Sequence, residues 1–133
     1  MSQATNYDVI VIGTSQGSRF LPIAFAKADR KVALIERGQF GGVCVNVGCT
    51  PTKTMVASAR VAYLARRGAL YGVHTGPISV DLQAVRERKQ GMVEGARNNF
   101  KSRIAAAFES DRLVGDARCI GRRQARFGHF AST

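Results

Sequence analysis

A doubly wound α/β layer is the fold class this sequence predicts, and three observations point to it. Tyr7-Asp8-Val9-Ile10-Val11-Ile12 is a short β-branched run that ends at Gly13, as a buried parallel strand does. A glycine-containing turn and an apolar stripe at helical spacing follow it. Val32-Ala33-Leu34-Ile35 then repeats the buried-strand pattern and closes on an acid, Glu36. Strand, turn, helix, strand and acid within about 30 residues form the layout of a dinucleotide-binding β-α-β unit.

In the first strand, alternation is absent because a parallel strand is buried on both faces. The turn Gly13-Thr14-Ser15-Gln16-Gly17-Ser18 is expected to direct backbone amides and a helix N-terminus toward a pyrophosphate. In the G-x-G-x-x-G frame, the second and third glycines are replaced by Ser15 and Ser18. Ser15 adds bulk where a cofactor would touch, and Ser18 where helix and strand would pack closely. Phe20, Leu21, Ala24, Phe25 and Ala28 continue as a helix, in which Pro22 removes an amide and is expected to introduce a kink. Glu36 lies close to the expected offset of about 20 residues from the turn, where a carboxylate accepts ribose hydroxyls. An acid there disfavours a 2′-phosphate, so FAD or NAD suits the site better than NADP. An ordinary α/β turn without ligand is the competing reading of the same residues.

The next stretch is Gly41-Gly42-Val43-Cys44-Val45-Asn46-Val47-Gly48-Cys49-Thr50-Pro51-Thr52-Lys53. Its Cys-x4-Cys spacing is too wide for a thioredoxin-type pair, and no His or further Cys nearby completes a zinc site. Pro51 starts a helix well, and thiols beside a helix N-terminus have their thiolates stabilised by free amides. Two such thiols can pass electrons by opening and closing a disulfide; the alternative is a pair of small buried cysteines in a Gly-rich turn. Thr52–Arg67 reads as a helix stopped by Gly68, and Leu70–Ser79 as a loop. Asp81 is the expected N-cap of a long helix reaching about Phe108, with Leu82, Val85, Met92, Val93, Ala96, Phe100, Ile104 and Phe108 near one stripe. Arg112–Ile120 reads as one further strand. From Arg122 to Thr133 the chain is basic and without period. Cys119 has no partner in sequence and reads as a structural thiol, and His74 and His129 form no metal-ligand pattern.

Composition narrows the classes of function. A length of 133 residues suits one ordinary domain. No apolar run is long enough for a membrane span, and the short polar N-terminus is not a signal peptide, which points to the cytoplasm. The formal charge of +11 falls mostly in the second half. The basic residues are scattered along helices and lack interleaved aromatics, so specific nucleic-acid binding is not expected. Their alternative uses are a solvated surface or non-specific polyanion binding.

The β-α-β unit, Glu36 and GGVCVNVGCTPTK together resemble the pyridine nucleotide-disulfide oxidoreductases, flavoproteins that include dihydrolipoamide dehydrogenase, glutathione reductase and mercuric reductase. TPTKTMVASARVAYLARR looks nearest the mercuric-reductase-like branch, and the resemblance runs from Tyr7 to about Ile120. It implies that residues 1–121 are the N-terminal part of an incomplete Rossmann-like FAD-binding domain carrying the redox segment, with 122–133 a poorly patterned tail. It implies further that the turn of Gly13, Ser15, Gly17 and Ser18 holds the FAD pyrophosphate. Glu36 would hold the adenosine ribose, with Arg37 beside it, and Gly42 and Val43 would lie along the cofactor. Ala117 would touch the adenine through its backbone. Cys49 matches the flavin-side thiol, Cys44 the interchange thiol, and Lys53 the lysine beside the flavin.

The expected activity is FAD-dependent reduction of a disulfide or mercuric ion by NAD(P)H through Cys44–Cys49, in a homodimer at full length. The nicotinamide domain, the interface domain with its acid/base pair and the later FAD-domain strands have no counterpart here. A truncated part, inactive alone and with an open apolar edge at Val9–Ile12, is therefore the expectation. A non-enzymatic basic α/β remnant that binds polyanions is the alternative.

Overall fold

A computed structural model describes residues 4–107 and 112–128. The expected helix end at Phe108, His129 and the last residues of the tail lie outside these. The chain divides into two compact units, one formed by residues 1–42 and 97–133 and the other by Val43–Ala96.

The first unit contains β1 (Val9–Ile12), α1 (Leu21–Lys27) and β2 (Val32–Glu36). β1 and β2 pair in parallel, with Val9 opposite Val32 and Ile12 opposite Ile35. β3 (Arg112–Val114) joins the other side of β2, also parallel, so the order is β1-β2-β3. β2 is central, and its Val32, Ala33, Leu34 and Ile35 are all buried, which explains the unbroken apolar run. β1 is the outer strand of this sheet. Val11 is buried while Ile10 and Ile12 remain exposed, matching the expected open edge.

On one face of the sheet, Val11, Val32 and Leu34 form a core with Phe100 and Ile104 from the last part of the long helix. Val9, Ile23, Ala26 and Phe40 pack around it, and Phe40 meets the Phe100 ring edge-on at 6.0 Å. On the other face, Ile10, Ala33 and Ile35 line a cavity of about 610 Å³ together with Ile120, Ala125 and Phe127.

Three sequence expectations change in this unit. The segment read as one strand breaks at Gly115, whose amide donates to the Glu36 carbonyl. Beyond it, β4 (Asp116–Gly121) pairs antiparallel with β5 (Gln124–Gly128). β5 falls inside the stretch expected to be an unpatterned tail. Its pattern is weak because Gln124, Arg126 and Phe127 are exposed and only Ala125 and Gly128 are partly covered. Pro22 does not kink a helix either. α1 begins at Leu21, so Pro22 sits in the first turn, where the missing amide has no intrahelical role.

The second unit holds α2 from Val43 onward (Gly42–Asn46), α3 (Cys49–Arg66), a 3₁₀ turn (Gly68–Tyr71) and the first part of α4 (Leu82–Ala107). Asp81 caps α4 as expected, its Oδ1 accepting from the Gln83 and Ala84 amides at 2.8 and 3.0 Å. The Arg88 guanidinium donates to the Thr54 carbonyl at 3.1 Å and ties α4 to α3. α3 ends at Arg66, and Gly68 opens the 3₁₀ turn, where a side chain would lie 2.6 Å from the Val73 carbonyl oxygen. No helix among the described residues is long and apolar enough to cross a membrane.

Candidate functional site

Each unit carries its own group of site residues. In the first, Gly13, Glu36, Arg37 and Ala117 line one pocket of about 200 Å³, with Ile12, Ile35, Gly115 and Asp116. It lies at the carboxyl ends of β1 and β2, where open α/β sheets bind ligands. No atom comes within 4 Å of a side chain built on Gly13 or Gly17, so both face open space. Arg37 is exposed and pairs with Asp116 at 3.8 Å. A pair this exposed adds little stability.

The turn differs from its sequence reading. Ser18 donates its hydroxyl to the Gly13 carbonyl at 2.7 Å, and its amide to the Ser15 carbonyl at 3.1 Å. It therefore closes the turn, a role beyond the loss of close packing that its position suggested. Ser15 lies against Gly42, where a built Cβ would stand 2.9 Å from the Ser15 Cβ and 3.0 Å from its Cα. Gly42 has φ of +60°, and Gly41 before it +101°. The bulk that Ser15 brings is accommodated because position 42 has no side chain. The expected helix N-terminus at the turn is displaced, since α1 starts three residues after Ser18 and is only seven residues long. Amides of the turn itself, not helix α1, are what a phosphate would meet.

Glu36 is half-buried and already engaged. Its Oε2 accepts from the Thr14 hydroxyl at 2.6 Å and the Thr14 amide at 2.9 Å, and its Oε1 from the Gly38 amide at 2.9 Å. Burial pushes this carboxyl up, but the hydrogen bonds from Thr14, Gly38 and Arg37 outweigh it and hold it below its ordinary value. Thr14, Gly41 and Asp116 were not singled out from the sequence. Only the Thr at the second place of the turn, where a hydroxyl can reach the end of the next strand, offered a signal.

The second unit holds Val43, Cys44, Cys49 and Lys53. Cys44 sits in α2 and Cys49 is the first residue of α3. Between them the chain doubles back: the Val47 and Gly48 amides both donate to the Val43 carbonyl, at 3.0 and 2.7 Å. A side chain on Gly48 would come 3.1 Å from that carbonyl and 3.4 Å from the Cys44 Cα, so glycine permits the close return. The return brings the Cys44 thiol close enough to Cys49 to act on its ionisation. Neither is in a disulfide, and Cys44 is half-buried and Cys49 exposed, which does not fit a pair of buried structural cysteines. Cys119 is likewise in no disulfide but is exposed on β4, not a buried structural thiol.

Position at a helix start was expected to favour the Cys49 thiolate. The structure reverses this. The hydrogen bond and then the charge of Cys44 push the Cys49 thiol above its ordinary value, while its own amide and the Lys53 ammonium pull the other way and lose. The pair thus carries one negative charge more readily than two. Cys44→Ala removes both raising influences, so Cys49 is expected to ionise at lower pH. The rate of iodoacetamide alkylation at Cys49 against pH would show its midpoint moving down; a midpoint that stays in place would remove Cys44 as the cause.

Residues 7–119 match the family model described as pyridine nucleotide-disulphide oxidoreductase. A mercuric reductase of Bacillus cereus is 32% identical over 115 residues, covering 86% of this chain and 18% of that protein. A dihydrolipoyl dehydrogenase of Bacillus subtilis is 36% identical over 91 residues, 68% of this chain and 19% of that protein. Among solved structures, the Cu(II) complex of the HOCl-induced flavoprotein disulfide reductase RclA from Escherichia coli superimposes with a TM-score of 0.76 at 28% identity. It covers 95% of this chain and 25% of that one. The chain spans about a fifth of the length of the curated relatives. With the family model matching most of its residues, this chain belongs to the pyridine nucleotide-disulphide oxidoreductase family.

Proposed function

We propose that this chain is the cofactor-binding and redox-disulfide part of an FAD-dependent oxidoreductase that reduces a disulfide or a thiol-reactive metal ion. The complete reaction, with NAD(P)H as electron source and a homodimer as the working form, is proposed for a polypeptide of the relatives' length. The observation that carries the reading is the near pair of thiols, Cys44 and Cys49, set together by the chain's return at Gly48, with Lys53 one turn on. In this reading the turn of Gly13, Ser15, Gly17 and Ser18 holds the FAD pyrophosphate, and Glu36 and Arg37 the adenosine ribose. Ala117 contacts the adenine, and Gly42 and Val43 line the approach to the cysteines. The open space in front of Gly13 and Gly17 and the pocket that Gly13 lines fit such a ligand. The flavin, once bound and reduced by NAD(P)H, would supply the electron pair that opens the disulfide.

The chain's own residues then carry out thiol exchange. The Cys44 thiolate attacks one sulfur of a disulfide substrate, forming a mixed disulfide and releasing the first substrate thiolate, which takes up a proton. Cys49 gives up its proton and attacks the Cys44 sulfur, closing Cys44–Cys49 and releasing the second thiol. Two electrons leave the dithiol and reduce the substrate, so the cycle needs the disulfide opened again. Lys53 holds positive charge near Cys49 as that thiol ionises.

The test is a visible spectrum of the purified chain after incubation with FAD. Flavin bands that stay with the protein, and a long-wavelength shoulder on dithionite reduction that Cys49→Ser abolishes, are the expected result. A colourless protein retained on heparin in a salt-dependent manner would overturn it and favour a basic polyanion-binding remnant.

A further inference from the structure

Thr14 is the most enclosed polar residue described in the chain, with 1% of its surface exposed. Its hydroxyl oxygen accepts the Gly41 amide at 2.9 Å and lies 2.6 Å from Glu36 Oε2. A hydroxyl has one proton. Because the Gly41 N–H already points at the oxygen, that proton is free to go to Glu36, and accepting from Gly41 makes the hydroxyl a stronger donor. The bonds therefore run one way, from the Gly41 amide through Thr14 to the carboxylate. The Thr14 amide adds a second bond to the same Oε2 at 2.9 Å. Both reach Glu36 from the protein interior, and Glu36 also lines the pocket with Gly13 and Ala117. The charged groups beside this pocket besides Glu36 are Arg37 and Asp116, which pair with each other.

We infer that Thr14 is a positioning residue: its hydroxyl, anchored by Gly41, holds Glu36 fixed as the ionised acceptor for the cofactor's ribose. The inference rests on the cofactor reading above and goes past it, since a turn residue that meets no ligand sets the strength of the ribose contact. A fixed carboxylate loses no rotamer freedom on binding, and one that stays ionised accepts charge-assisted hydrogen bonds, roughly twice as strong as neutral ones. The Thr14 hydroxyl is also the foremost of the hydrogen bonds that lower the Glu36 carboxyl. Loss of that bond moves ionisation to higher pH, so ribose binding would fade at a less acidic pH.

The experiment uses the full 133-residue chain, with FAD affinity read from flavin fluorescence across a pH series. Thr14→Val is expected to weaken FAD binding roughly tenfold and to move the acid limb of binding upward, while Thr14→Ser keeps both near the parent. In a Glu36→Ala background Thr14→Val should cost no further affinity. A Thr14→Val chain that binds like the parent overturns the inference, as does a Thr14→Ser chain as weak as Thr14→Val. A parent chain that takes up no FAD overturns the cofactor reading instead. The two failures are separated by the carboxyl ¹³C titration of Glu36 in the free chain. A midpoint that rises in Thr14→Val but not in Thr14→Ser supports the tie, and one that does not move overturns it.

Discussion

Gly42→Ala is expected to destabilise the chain by about 3 kcal/mol. Two costs add. A residue with a Cβ held at φ of +60° loses about 1–2 kcal/mol relative to its ordinary conformations. The new methyl would also stand 2.9 Å from the Ser15 Cβ and 3.0 Å from its Cα. Neither atom belongs to the far end of a flexible side chain, so the phosphate turn or the Gly41–Gly42 bend must shift, and such overpacking costs about 1–3 kcal/mol. The same shift disturbs Ser15, so FAD uptake should fall with stability. Gly17→Ala is the control, because nothing lies within 4 Å of its Cβ and its backbone is not left-handed. It should stay within about 0.5 kcal/mol of the parent. Urea midpoints at unchanged slope would measure both. Equal midpoints for the two variants would refute the contact between Ser15 and Gly42.

Ile104→Ala should cost about 3–4 kcal/mol, with Ile104→Val near 1 kcal/mol. Ile104 has none of its surface exposed and lies in the core with Val11, Val32, Leu34 and Phe100. Truncation removes buried methyl groups and leaves a cavity that the central strand cannot close, because β2 is held on both sides by β1 and β3. A comparable truncation at exposed Leu82, on the same helix, should change the urea midpoint little. A small loss at Ile104 would mean that the helix does not cover the sheet in solution.

How much of this was legible in the chain varies with the range of the interactions. β1 and β2 are legible to within two residues of their bounds, since buried parallel strands leave a continuous apolar run that needs no partner to be seen. Asp81 was read as a cap because capping acts over three residues. The strand after Arg112 was read as one piece, since its division depends on Gly115 bonding to Glu36, a contact across most of the chain. β5 has no legible pattern because Gln124, Arg126 and Phe127 are all exposed and its partly covered residues, Ala125 and Gly128, are small. Pro22 was misjudged by a matter of helix start, which local composition places to within a turn at best.

The amino-acid sequence by itself determined the parallel β-α-β start, the family and the two cysteines with their lysine, because each is written in residues close along the chain. Tertiary structure alone decided the rest. It set Ser15 against Gly42, gave Ser18 the task of closing the turn, and placed Thr14 between Gly41 and Glu36. It also reversed the expected order at Cys49, whose helix position favours the thiolate while Cys44, brought close by the return at Gly48, opposes it. The physical reason is common to all four. Steric contact, hydrogen bonds and like-charge repulsion act over a few ångströms, and only folding decides which groups, from 3 to 27 positions apart, come within that distance.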